Sequence, residues 1–327
     1  MNKYPWLITQ YLNIINKYCK NSLHPITLIQ APTGIGISKL ILNISKWILC
    51  LHKNKFTNCK KCISCFLIKK KNHPDFYNVN YISQYKNIGI NIIRDIIKNL
   101  YKTSQQGGCK IVYFSNINSC TLEASNALLK TLEEPPINTI FFLHTRNITQ
   151  VINTIKSRSI IYYVHAPQEN IAISWLKKKN KQHNFLQLLT ALRINNNAPI
   201  STQKFLKSDA FKQRNIFMRA IHTYINEKND SDLWNIILDY DEKIITTLIC
   251  YFLLDIIKYN ICKKNTIKNI DQLKLIKKIA HINKFNVLKN NLISWVQFQQ
   301  ILSTSYKIDK KLIFIEQIFL WMKTLHK

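Results

Sequence analysis

Cys50, Cys59, Cys62 and Cys65 stand in a C-x8-C-x2-C-x2-C spacing, short enough for four thiolates to converge on one tetrahedral ion at ~2.3 Å each. Structural zinc is the expectation. An iron–sulfur cluster competes with it, since C-x2-C-x2-C also opens the bacterial ferredoxin run. That run continues with a further cysteine and a proline, where this chain has Lys69 and Lys70. Free thiols that merely cluster remain a third possibility. A closed four-cysteine shell leaves no position for water or substrate, so a zinc here would be structural and not catalytic. His52 and His73 lie nearby, but four sulfurs already complete the shell.

A second constellation is the loop Ala31-Pro32-Thr33-Gly34-Ile35-Gly36-Ile37-Ser38, which follows an apolar run and opens a helical pattern. It stands where a phosphate-binding loop would. In G-x-x-x-x-G-K-[ST] the glycines let backbone N–H groups close around phosphates, the lysine reaches the β- and γ-phosphates, and the hydroxyl holds Mg²⁺. Gly34, Gly36 and Ser38 are in place, but Ile37 occupies the lysine position and Ala31 the first glycine. An aliphatic side chain cannot neutralise a triphosphate, and desolvating that charge unpaired is prohibitive. The loop has the outline of a nucleotide site without its cation. Two glycines before a helix also make an ordinary βα turn, so the loop gains weight only from its context.

That context is an alternation of strand and helix patterns. Ile26 to Gln30 is a β-rich run, and Leu40, Ile41, Ile44 and Ile48 then recur at helical spacing. After the cysteines come a strand over 75–79, a helix over 90–100, a strand over 111–114, a helix over 122–132, a strand over 140–143, a helix over 151–155 and a strand over 160–164. Strands separated by helices imply a parallel α/β sheet. Past Ala166-Pro167 only helices are expected. Three short ones come first, around Ala172 to Leu176, Phe185 to Leu192 and Ile200 to Leu206. Longer helices follow from about Ser208, with Ile244, Leu248, Tyr251, Phe252 and Ile256 on one face, Phe285, Leu288, Leu292 and Trp295 on another, and Leu312, Ile315, Ile318, Phe319 and Met322 on a third. Such stripes are core or subunit-facing surface.

Composition sets outer limits. A chain of 327 residues is too long for one ordinary core, and 5 glycines with 8 prolines argue against an all-β protein built on tight turns. The formal charge of +30 would ordinarily imply a nucleic-acid partner. Of 47 basic residues, however, only 6 are arginine and 41 are lysine, spread along a chain rich in Asn and Ile. This reads as compositional drift more than a selected patch. Long-range attraction to polyanions still follows. The segment Met1 to Trp6 has no apolar signal-peptide core, and the apolar run 244–257 is short of the ~20 residues that span a bilayer, so a cytoplasmic protein is expected.

The segment Asn126-Ala127-Leu128-Leu129-Lys130-Thr131-Leu132-Glu133-Glu134-Pro135-Pro136 resembles the signature of the bacterial DNA polymerase III clamp-loader subunits, members of the AAA+ superfamily. Ser157-Arg158-Ser159 falls where those proteins carry Ser-Arg-Cys, and the four-cysteine module lies between the first helix and the next strand, as theirs does. Tyr4-Pro5-Trp6-Leu7 and His73-Pro74-Asp75 are similar to a non-motor member of the same complex. The match in motifs covers residues 1 to about 165. The departures carry as much as the matches. Family ATPases end the strand before the signature in Asp-Glu, which hold Mg²⁺ and position water; here the pair is Ser115-Asn116. The arginine they place on the lid helix falls near Ile200. With Ile37, three parts of the ATP machinery are missing.

The resemblance implies an α/β plus all-α protein in three parts: an AAA+ α/β domain over 1–165 with the zinc module at 50–65 inserted, a helical lid over 166–207, and a helical C-terminal collar domain over 208–327. It implies a subunit that neither binds nor hydrolyses ATP appreciably, within a DNA-directed DNA polymerase holoenzyme. Its partners would be the gamma/tau ATPase subunits and the delta subunit, with the sliding clamp and primed DNA reached through the complex. Arg158 would act in trans as an arginine finger on a neighbour's ATP. Two other readings stay open: an active DNA-dependent AAA+ ATPase with a degenerate loop, and a zinc-module nucleic-acid-binding protein supported by charge alone.

Overall fold

The computed structural model describes residues 3–79, 87–106, 108–239, 241–262, 267–304 and 310–324; Met1 and Asn2 of the opening segment lie outside them. Two compact units divide the chain, Met1–Pro167 and Gln168–Lys327. The first contains strands β1 (Ile26–Gln30), β2 (Phe76–Asn78), β3 (Lys110–Phe114), β4 (Thr139–Thr145) and β5 (Ile160–Tyr163). They form one sheet in the order β2-β3-β4-β1-β5, and every pair is parallel. Its helices are α1 (Ile8–Cys19), α2 (Ile37–Ile48), α3 (Ile63–Lys69), α4 (Ile90–Leu100), α5 (Leu122–Glu133) and α6 (Asn153–Ser157).

A strand with neighbours on both sides and helices on both faces must be apolar throughout, and β1, β3 and β4 are buried along almost their whole length. Leu28 pairs with Leu143 on one side and Ile161 on the other. β5 is an edge, and Ile160 and Tyr163 are correspondingly exposed. The helices lay apolar stripes on this sheet: Ile93, Ile96 and Leu100 from α4, and Ala124, Leu128 and Leu132 from α5. Thr121 caps α5 by accepting the Ala124 N–H at 3.2 Å. The end of α4 is held differently. The buried Lys110 ammonium donates to the carbonyls of Asn99 at 3.1 Å, Leu100 at 2.8 Å and Lys102, placing a cation on the negative end of the helix.

Most expected elements appear within a residue or two of their predicted ends. One shifts: the helix expected over 151–155 is Asn153–Ser157, because Val151 closes a short 3-10 turn. Because the strands are parallel, the unit has two distinct edges. Loops leaving strands emerge at the carboxyl edge, and helices return to the amino edge. Gly34 and Gly36 lie on the first. Cys50, Asp75 and Arg158, each at or beyond the end of a returning segment, lie on the second.

The second unit is helical, with α7 (Glu169–Lys179), α8 (Phe185–Ile194), α9 (Pro199–Lys207), α10 (Asp209–Glu227), α11 (Ser231–Asp239), α12 (Glu242–Cys262), α13 (Leu273–Ile282), α14 (Phe285–Thr304) and α15 (Lys310–Thr324). Two predicted faces need correction. On α15 the buried residues are Phe314, Ile318, Trp321 and Met322, whereas Leu312 is 67% exposed and Phe319 49%. On α14, Phe285 is exposed and the stripe runs Leu288, Trp295, Phe298 and Leu302. Every third or fourth residue of these helices is apolar in more than one phase, so spacing alone fits several stripes. The run 244–257 likewise sits inside a longer helix, which by length and composition could cross a membrane. In this unit α12 is a core helix, buried on several sides through Ile245, Leu248, Ile249, Phe252, Leu253 and Ile256.

The segments expected as lid (166–207) and collar (208–327) share a buried polar network within this one unit. The fully buried guanidinium of Arg214 on α10 donates to Asp271 at 2.6 and 2.7 Å and to Asn269 Oδ1 at 2.7 Å. Asp271 Oδ1 also accepts from Thr190 on α8 at 3.1 Å. Arg193, also on α8, donates to the Ile267 carbonyl at 2.7 Å and pairs with Glu169. Buried Asp255 closes the network by accepting the backbone N–H groups of Lys268 and Asn269. Removing one member of a buried ion pair leaves the other charged and unpartnered. Asp271→Ala should therefore lower the stability of this unit by about 3 kcal/mol or more, measured by urea unfolding, with a smaller loss for Glu169→Ala, whose pair is partly solvated.

Candidate functional site

The cysteine module is built between α2 and β2. Trp47 donates its indole N–H to the Asn54 carbonyl at 2.9 Å, and Tyr11 of α1 donates to the Phe56 carbonyl at 2.9 Å, which fastens the module to two helices. Cys62 then caps α3, its sulfur accepting the Cys65 N–H at 3.4 Å. The four Sγ atoms lie within 4.8 Å of one another. Cys50 Sγ is 3.9 Å from Cys62 Sγ, and Cys59 Sγ is 3.9 Å from Cys65 Sγ. A tetrahedron of sulfurs ~2.3 Å from its centre has edges of ~3.8 Å, whereas a disulfide needs ~2.05 Å. In an iron–sulfur cluster the thiolates bind several irons and spread further apart. The donor set fits one thiophilic ion.

The electrostatics point the same way. Backbone N–H groups of Lys61 and Cys62 draw the Cys59 thiol down to about 6. Burial pushes Cys50 up to about 12 and raises Cys65. Asn58 Nδ2 and the Cys59 N–H aim at the sulfurs of Cys65 and Cys50 at 3.2 and 3.3 Å. These are donors arranged for thiolates, and a central cation would remove the burial penalty on the two buried sulfurs.

His52 is exposed, and neither it nor His73 belongs to the cluster among the described residues. His73 has a different task. Its Nδ1 accepts the Asp75 N–H at 3.1 Å, so the proton resides on Nε2 and is donated to Ser64 Oγ at 2.7 Å; Ser64 in turn donates to the Leu49 carbonyl at 2.5 Å. Asp75 accepts the N–H groups of Gln105 and Gln106 at 3.0 Å. The chain of bonds ties the module, through Ser64 between two of its cysteines, to the start of β2.

At the other edge, the phosphate-type loop is bonded to neighbouring segments of the chain. Gly34 (φ 83°) and Gly36 (φ 100°) adopt the left-handed conformations that glycine allows. Ile35 is fully buried, Ile37 is 4% exposed, and Ala31 is buried. The Ile35 carbonyl accepts the Trp6 indole N–H at 2.8 Å. Ser38, the hydroxyl expected at a Mg²⁺ ion, bonds Tyr113 on β3 at 2.9 Å. Burial, opposed by this bond, raises the Tyr113 phenol to about 12. Ser115 and Asn116 follow β3 without charge, and the Ser115 carbonyl lies 2.7 Å from His144 Nδ1. His144 Nε2 is 3.3 Å from the Ala31 carbonyl. Burial lowers the pKa of this histidine, and its hydrogen bonds to the two carbonyls oppose that shift. The neutral ring donates from one nitrogen, and the shorter contact selects Ser115.

Arg158 follows α6. Its Nη2 donates to Glu133 Oε1, and its Nη1 donates to the Thr154 carbonyl at 2.9 Å and Ser157 Oγ at 3.4 Å. The side chain is 32% exposed. Ile200 is the second residue of α9 and brings no charge. Sequence reasoning missed Glu133 as a partner, as well as Trp6, His144 and Tyr113 around the loop. The pairs Trp6–Ile35, Ala31–His144 and Ser38–Tyr113 are far apart in sequence, and no periodicity links them.

Burial is the leading cause lowering the His73 pKa, with Asp75 opposing it, so the folded state binds fewer protons than the unfolded state just below the ordinary histidine value of 6.5. Stability from this network is then complete above that value and is lost as pH falls through the folded pKa. The His73 ring should titrate below 6.5 by NMR, and His73→Gln should flatten the acid limb of the stability curve.

Residues 9–168 match the family model described as DNA polymerase III, delta subunit, and residues 208–323 match DNA polymerase III, delta subunit, C terminal. The DNA polymerase III subunit delta' of Buchnera aphidicola from Acyrthosiphon pisum is 36% identical over 327 residues, covering 100% of this chain and 99% of its own length. That of Yersinia pestis is 29% identical over 98% of this chain and 96% of its own. A solved DNA polymerase III gamma subunit-related protein from Thermotoga maritima covers 97% of this chain and 100% of its own at a TM-score of 0.45 and 16% identity. With an all-parallel sheet, a cysteine module between α2 and β2 and a full-length match to such relatives, the chain belongs to the DNA polymerase III subunit delta' family.

Proposed function

We propose that this chain is the non-hydrolysing delta' subunit of a DNA polymerase III clamp loader in the cytoplasm. It assembles with gamma/tau ATPase subunits and a delta subunit, helps place the sliding clamp on primed DNA, and supplies Arg158 to a neighbour's ATP. The observation that carries the trans role is the register of β1 and β5. Thr27 pairs with Ile160 and Gln30 with Tyr163, so β5 begins level with Thr27, and Arg158, in the turn that ends α6, lies before that end while Ala31 follows the other. At ~3.3 Å per residue the start of β5 is already about 13 Å from the chain's own loop along the strand direction. An arginine at the amino edge cannot serve a phosphate at the carboxyl edge of the same sheet; it is available to another subunit.

Two features support an inert loop: buried Ile37 in place of a lysine, and uncharged Ser115-Asn116 where Mg²⁺ ligands would be. The division into α/β domain, lid and collar is supported by the family-model limits at 168 and 208, which leave 169–207 as a separate stretch. Zinc at Cys50, Cys59, Cys62 and Cys65 is supported by the sulfur separations and would act only as a structural crosslink.

The purified chain should bind Mg-ATP no tighter than millimolar in equilibrium titration, and Ile37→Lys should not create turnover, since the carboxylates are still lacking. Metal analysis should give one zinc per chain with no visible absorption; iron would overturn the assignment. Cys62→Ser should lose the zinc and loosen 50–65 while the sheet stays folded, read by circular dichroism and limited proteolysis.

In a complex reconstituted with ATPase subunits, Arg158→Ala should lower clamp- and DNA-stimulated ATP turnover together with clamp loading, at unchanged assembly. Arg158→Lys should rescue poorly, because an ammonium lacks the planar guanidinium fork. Wild-type turnover and loading with the alanine variant would reduce Arg158 to a structural residue.

A further inference from the structure

We infer that Glu133 is the positioning residue of Arg158, its carboxylate fixing the guanidinium in the orientation from which it meets a neighbour's phosphate. The inference rests on the reading of Arg158 as trans-acting. Glu133 is the last residue of α5, and Arg158 is the residue after α6. The two lie 25 residues apart in sequence and meet at the amino edge of the sheet.

One end of the fork is anchored on each element. Nη1 is held by the Thr154 carbonyl and Ser157 Oγ of α6, and Nη2 by the Glu133 carboxylate of α5. An arginine side chain carries ~2 kcal/mol of rotamer entropy, and a finger that must be ordered at the moment of reaction is slower than one ordered beforehand. Two anchors at different angles remove that freedom before any phosphate arrives. Three of the five N–H donors are committed in this way. The remaining edge can still take phosphate oxygens in the paired geometry arginine favours.

The pair has little structural value. Glu133 is 49% exposed and Arg158 32%, and ion pairs of this exposure contribute ~0–1 kcal/mol to folding. Its removal should therefore leave the subunit folded. Glu134, next in the chain, is exposed and provides a charge-matched control.

The test is steady-state ATP turnover by the clamp-loader complex reconstituted with wild-type, Glu133→Gln, Glu133→Asp, Glu134→Gln, Arg158→Ala and the Glu133→Gln/Arg158→Ala double variant. Glu133→Gln should lower kcat on the order of tenfold with KM for ATP little changed, as for a misplaced group acting in the transition state. Glu133→Asp should recover part of the loss and Glu134→Gln should match wild type. The double variant should be no worse than Arg158→Ala. An unchanged kcat for Glu133→Gln beside an impaired Arg158→Ala would make Glu133 a bystander while the reading of Arg158 stands. A faster Glu133→Gln complex, or additive losses in the double variant, would also overturn the inference. An unimpaired Arg158→Ala would sink both.

Discussion

Strand β1, hydrogen-bonded on both sides in a parallel sheet, is the constraint on which the rest of the first unit depends. Its register with β4 and β5 fixes the height of everything attached to those strands. The Ala31 N–H extends the ladder by bonding the Thr145 carbonyl at 3.0 Å, so the loop begins at one defined level. The same pairing sets the level of Arg158 at the opposite edge. Parallel connectivity thus separates the loop from the arginine by the length of the strand, and no side-chain rotamer can bring them together. A subunit of this fold is two-faced by construction.

At the carboxyl edge the glycine loop leads into α2 with Ile37 where a phosphate-binding loop would have lysine. Buried backbone carbonyls need donors. Around the loop the Trp6 indole donates to the Ile35 carbonyl, Ser38 bonds Tyr113, and His144 donates to the Ser115 carbonyl. These partners are uncharged side chains. Ile37 adds to the core what a lysine would have given to the ligand. The amino edge is charged instead, through Arg158 with Glu133 and through the thiol cluster with its N–H donors.

The second unit follows another rule. Its apolar cores run along α10 to α15 and among α7 to α9, the latter joined by Phe211 from the start of α10, and a buried polar cluster adds to the link between the two groups. Arg214, Asp271, Asn269, Asp255 and Thr190 bond one another. Such a cluster is directional in a way that apolar contact is not, so it fixes one relative placement of the short and long helices. The short helical stretch and the longer helices fall within one compact unit.

Local spacing alone carries the alternating strands and helices, the clustering of four cysteines and the absence of the loop lysine. Each is written in local spacing: strand runs of buried Ile and Val, helical recurrences such as Ile93, Ile96 and Leu100, and cysteines within sixteen residues of one another. Three things were decided only in the folded chain. Where a helix offers several apolar phases, as α14 and α15 do, burial chose the face, and it left Phe285, Leu312 and Phe319 outside. The polar partners Glu133–Arg158, Ser64–His73 and Arg214–Asp271 join segments that have no shared periodicity. The placement of loop and arginine on opposite edges came from β-register, because hydrogen-bond pairing between strands more than a hundred residues apart leaves no mark on the spacing within either one.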